Sequence, residues 1–146
     1  GTHNVPYIVG FAEALRLADA ERQERIAHVK PLRDRLAGTI LEDIADVHLT
    51  GHPSARLPQH ASFVFKGVDG NFLLSLLDAA GFACSSGSAC KTGNPEPSEV
   101  ITSLGYAREW GLGSLRVTLG TGSTVQDVDA FLQVLPPLIE KARALA

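Results

Sequence analysis

This sequence predicts an α+β fold: a short, mostly antiparallel sheet of three or four strands with helices packed on one face. Three observations carry that prediction. The stretches DVHLT, ASFVFK and SLRVTL alternate apolar and polar residues at the period of a strand. Around them, apolar residues recur at spacings of three and four, the period of a helix. Gly, Pro, Ser and Asn gather at the joints between these patterns.

Taken in order, the helical pattern runs first from about Pro6 to Ala37. Val9, Ala12 and Leu15 share one face, as do Val29, Leu32 and Leu36. Pro31 has no N–H to donate and is expected to kink or divide this segment; Gly38 is expected to stop it. The long first helix is expected to be only partly covered. A strand follows over Asp46–Thr50, then the loop GHPSARLPQH, then a strand over Ala61–Lys66 with Phe63 and Phe65 on one face. Asp69 caps a helix that runs to about Ala80 and ends at Gly81; its apolar stripe is Phe72, Leu73, Leu76 and Leu77. Phe82–Ser85 reads as a third, short strand, and the Ser/Gly/Asn/Pro composition of Ser86–Glu96 rules out a regular element.

A brief helix then has Pro97 in its first turn, Val100, Ile101 and Leu104 inside, and Gly105 after it. In Ser114–Leu119, Leu115, Val117 and Leu119 face one way and Arg116 the other, as in a half-buried strand. The last helix starts at the cap Thr124, carries Val125, Val128, Leu132 and Leu135, and is interrupted at Pro136–Pro137 before Leu138 and Ile139 resume. No repeat or internal boundary divides residues 1–146, which read as one domain.

Bulk properties exclude several classes. At 146 residues, 45% hydrophobic and 20% charged, the chain can bury a core without staples. Its net charge is −3, and no basic run supports nucleic-acid or membrane-surface binding. The apolar runs are too short to span a bilayer, and no signal-peptide pattern is present. A cytoplasmic setting with reduced thiols is expected. The chain has no Met and opens with GTHNVP, so it is expected to be a piece of something longer.

The chemistry concentrates in residues 82–99, FACSSGSACKTGNPEPSE. A metal reading is weak: Cys84 and Cys90 are spaced C-x5-C, and His3, His28, His48, His52 and His60 offer no second ligand pair. Loop length allows a Cys84–Cys90 disulfide. Taken singly, Cys84 at a strand end reads as a small packing residue. Cys90 lies in a loop with little apolar cover and is followed at once by Lys91; an exposed thiol beside a cation is richer in thiolate, the nucleophilic form. His52 and His60, close to a strand start, are left out of the site.

CSSGSAC, followed by EPS, GY and SLRVTLG, resembles the C-terminal part of the cysteine desulfurases of NifS/IscS type. These are fold-type I enzymes of the class-V aminotransferase group that use pyridoxal phosphate. The resemblance extends to GTHNVPYIVG, RLPQHASFVF and VDGNFLLSLLDAAG, and so covers nearly the whole chain. It implies the small C-terminal domain of such a transferase. It implies that Cys90 attacks the sulfur of L-cysteine and carries it as a persulfide, releasing alanine. The acceptor would be a scaffold protein of iron–sulfur cluster or thiocofactor assembly. Arg116 would grip the substrate α-carboxylate, which suits a two-pronged guanidinium. Thr2 would reach the cofactor phosphate of the second subunit in a homodimer.

The resemblance also implies what this chain lacks. None of Lys30, Lys66, Lys91 and Lys141 lies in the family's Ser-x-His-Lys context, so the large domain with the cofactor lysine is expected to be absent and the chain alone inactive. Two other readings share these motifs: a non-enzymatic sulfur-carrying or interaction module, and a selenocysteine lyase on the same scaffold.

Overall fold

The computed structural model describes residues 2–86 and 96–145. Its first two helices, α1 (Val5–Ala20) and α2 (Arg22–Asp43), meet at Glu21. The break therefore falls ten residues before the expected one, and Pro31 sits inside α2. The carbonyl that Pro31 cannot satisfy belongs to Ala27, an exposed residue, so water can replace the missing bond. Gly38 does not stop α2 either. A helical glycine costs about 1 kcal/mol relative to alanine, whereas burying Ile40 just beyond it contributes roughly 1.5–3 kcal/mol. As expected of the first helix, α1 has no buried residue and leaves Tyr7 and Phe11 exposed.

The sheet has the order β1-β2-β3, built from β1 (Val47–Leu49), β2 (His60–Phe65) and β3 (Ser114–Thr118), both pairs antiparallel. Between β2 and β3 lie α3 (Gly70–Ala79), α4 (Glu99–Ser103) and the single turn α5 (Arg108–Gly111), which the sequence reading missed. The chain closes with α6 (Val125–Arg143). Ala61, Phe63 and Phe65 of β2 and Leu115 and Val117 of β3 form one face of the sheet. They pack with Leu36 and Ile40 of α2, Leu73 and Leu77 of α3, and Leu135 and Ile139 of α6 in one core. Trp110 of α5 stacks on His48 of β1 at 4.2 Å, over part of the other face.

Asp69 caps α3 by accepting from the N–H of Asn71 and of Phe72, and Gly81 turns the chain out with φ +89°. The expected strand at Phe82–Ser85 is reduced to one antiparallel bridge, Ser85 to Arg116. Phe82 instead turns its ring edge-on to Phe131 of α6. In α4 only Ile101 is buried; Val100 and Leu104 are exposed, because so short a helix has one inward face. After α5, Gly113 passes so close to β2 that a Cβ there would lie 2.0 Å from the carbonyl oxygen of Phe65, and glycine alone fits.

Pro136 and Pro137 do not interrupt α6. Each interior proline costs about 3 kcal/mol. The helix also buries Val128, Phe131, Leu135, Ile139 and Ala142, and a fully buried large apolar side chain contributes roughly 1.5–3 kcal/mol, so packing wins. Thr124 and Asp127 form a reciprocal capping box at its start: the Thr124 Oγ1 accepts from the Asp127 N–H at 3.1 Å and the Asp127 carboxylate accepts from the Thr124 N–H at 2.8 Å. Thr124→Ala is expected to lower stability by about 1 kcal/mol in urea unfolding, with an unchanged dependence on denaturant.

Candidate functional site: a cleft around Arg116

The register of β2 and β3 sets Ser62 opposite Arg116 and His60 opposite Thr118. Strand alternation therefore places His60, Ser62, Ser114 and Arg116 on the face turned away from the core. That face opens into a cleft of about 320 Å³ lined by these four residues, by Arg56 and His52 from the loop before β2, and by Ser98 and Ile101 at α4. Two arginines and two histidines line it, and among the described residues no carboxylate does.

The loop is held by its own arginine. Arg56 donates to the carbonyls of Thr50 at 2.8 Å and His52 at 2.8 Å, and the Thr50 N–H donates to the Ser62 carbonyl at 2.8 Å. Behind it, Arg33 of α2 is 5% exposed, donates to the Leu57 carbonyl at 3.2 Å, and pairs with Asp34 at 2.7 Å. Asp34 is held below the usual carboxylate range by the Lys30 ammonium first, with Arg33 adding to it. His52 Nδ1 accepts the Ala55 N–H at 2.9 Å, which fixes its ring to the loop. His60 is held below its ordinary value by burial first, then by the positive charges of Arg116 and Arg56.

Of the residues singled out in the sequence, Arg116 is in the cleft. Its backbone N–H donates to Ser85 at 2.6 Å and its carbonyl accepts from Ser85 at 3.2 Å, so the chain segment that continues toward Cys90 starts against the Arg116 strand. Cys90 and Lys91 lie outside the described residues. Ser98, in the segment that returns, is buried and lines the same cleft. Thr2 is exposed ahead of α1 and does not line the cleft. Cys84 is a half-buried free thiol packed against the core, and burial pushes its pKa up to about 11. It stays protonated at neutral pH, in keeping with a packing role.

The sequence reading left His52 and His60 outside the site; the structure puts both on its wall. The parity of His60 with Ser62, and of Ser62 with Arg116 across the pair, was the available signal. A larger groove of about 460 Å³ runs between α1–α2 and Leu119, but its arginines, Arg22 and Arg25, are paired with Asp19 and Glu21, so its charge is neutralised.

The family model for class-V aminotransferases matches residues 1–131. The chain belongs to the class-V aminotransferase family. It is 43% identical over its whole length to the cysteine desulfurase IscS of Methanosarcina thermophila, covering 36% of that protein. It is 44% identical to the IscS-like cysteine desulfurase of Mycobacterium tuberculosis, covering 37%. The NifS-like protein from Rickettsia africae superposes with a TM-score of 0.81 at 27% identity, over 96% of this chain and 36% of that one. This class-V chain therefore spans about a third of the length of the relatives it matches.

Pyridoxal phosphate, which the resemblance implies, needs a lysine amine. Lys30 is paired with Asp34 on α2, Lys66 with Glu109 beside Trp110, and Lys141 is exposed on α6; none of the three lines the cleft. The described residues thus do not make a cofactor site by themselves. No helix among them is long and apolar enough to cross a membrane.

Proposed function

We propose that this chain is the small C-terminal domain of a pyridoxal-phosphate-dependent cysteine desulfurase that releases alanine from L-cysteine. One observation carries the reading: Arg116 stands in a cleft that no carboxylate lines among the described residues, against the strand end that leads, five residues on from Ser85, to Cys90. At most about 3.6 Å of chain per residue limits the Cα of Cys90 to within about 18 Å of the Cα of Ser85. Arg116 supplies two parallel donors for the α-carboxylate, and no carboxylate among the described lining residues competes for its charge. Cys90 supplies the acceptor thiolate. In the transfer, the Cys90 sulfur bonds to the substrate sulfur and the substrate Cβ–S bond breaks. Its electron pair stays on carbon, which takes up a proton to give alanine, and Cys90 is left as a persulfide.

The cofactor, when bound, would supply the electron sink for the substrate α-carbon. Its lysine lies in a large domain outside this chain, so the chain alone is inactive. The intact enzyme is a cytoplasmic homodimer in which Thr2 meets the partner's cofactor phosphate. It passes its sulfur to a scaffold protein of iron–sulfur or thiocofactor assembly. In the intact enzyme, Arg116→Gln is expected to lower kcat/KM for L-cysteine about 10- to 100-fold, chiefly through KM, since a charged hydrogen bond contributes about 1.5–3 kcal/mol. Alanine release measures it; an unchanged KM for L-cysteine would remove Arg116 from the site.

A further inference from the structure

We propose that His60 is a second anion-facing group of the Arg116 cleft, taking up one proton from solvent when a carboxylate sits on Arg116. The inference rests on the reading of Arg116 as the carboxylate's partner. His60 lies two residues from Ser62, which is paired directly with Arg116, so the two side chains are diagonal neighbours on one face of the sheet and line one cleft. Among the described residues, the charged and titratable groups that share the cleft with His60 are Arg116 from β3 and Arg56 and His52 from the preceding loop, with the charge of Arg33 of α2 also felt at His60. From the α4 side the wall is Ser98, Val100, Ile101 and Leu104, none of which titrates.

Burial and these guanidinium groups disfavour the protonated His60 ring and hold it below its ordinary value. A carboxylate on Arg116 cancels the nearest of those charges and offers the ring an acceptor. Both effects favour the imidazolium, so His60 binds its proton more tightly in the complex. By reciprocity the anion binds more tightly as pH falls through the imidazole's range. His52 is less suited to this role, because its Nδ1 is already held by the Ala55 N–H.

Formate, which keeps one negative charge across the relevant pH range, is the probe. The His60 ring proton signal of this chain is followed by NMR during pH titrations with and without saturating formate, and formate affinity is measured at both ends of the range. The expected result is a His60 titration displaced to higher pH by formate, and formate binding about three- to tenfold tighter near pH 5.5 than near pH 8. His60→Gln should flatten that pH profile, and His52→Gln should leave it. Binding that needs Arg116 but leaves the His60 titration in place overturns this inference alone, as does a pH profile that survives His60→Gln. Formate that binds Arg116→Gln as tightly as the unaltered chain, or that does not bind at any pH, overturns the Arg116 reading with it.

Discussion

Serine in place of Cys90 is expected to abolish persulfide formation in the intact enzyme and to lower alanine release by about 10³-fold or more. A hydroxyl ionises far above neutral pH, is a poor nucleophile without an adjacent base, and forms no stable S–S analogue. Mass spectrometry of the protein after exposure to L-cysteine reads the added sulfur directly. Cys84 is the internal control. Its pKa of about 11 reflects the penalty that burial places on the thiolate, and its side chain is packed against the core. Cys84→Ala is therefore expected to leave the persulfide intact. A Cys90→Ser enzyme that still turns over at near-normal rate would move the sulfur-carrying role elsewhere.

Phe63→Ala is expected to destabilise the fold by about 3–5 kcal/mol, a large share of the roughly 5–15 kcal/mol that holds a domain together. Phe63 is fully buried on β2, with the Phe65 ring 6.1 Å away, in the core shared with α2, α3 and α6. Truncation would empty the layer between sheet and helices, and the antiparallel pairs on either side prevent it from collapsing. Urea unfolding should show a lower midpoint at unchanged denaturant dependence. A loss below about 1 kcal/mol would mean that the core is not centred on this strand.

Short-range pattern made much of this fold legible. Phe63 and Phe65 share a face, as do Leu115 and Val117, because a strand's side chains alternate whatever surrounds it. Asp69 and Thr124 announce helix starts because their side chains satisfy backbone N–H groups a few residues away. Proline as a helix break was misread for the complementary reason. Pro31, Pro136 and Pro137 carry a local penalty, and whether it divides a helix depends on burial elsewhere along that helix. Val100 and Leu104 looked inward by spacing; the turn they sit on has one inward face, which Ile101 takes.

By itself, the sequence determined the alternation that turns Arg116 away from the core, the caps that start α3 and α6, and the motifs that placed the chain among class-V aminotransferases. These rest on chemistry confined to a few neighbouring residues. The tertiary structure alone decided which groups surround Arg116. Ser62 stands opposite it and His60 diagonal to it through strand register, Arg56 arrives with the loop before β2, and Arg33 backs that loop from a helix more than twenty residues earlier in the chain. A field of charge in a cleft is a sum over space, and the distance along the chain between its contributors carries no trace of it.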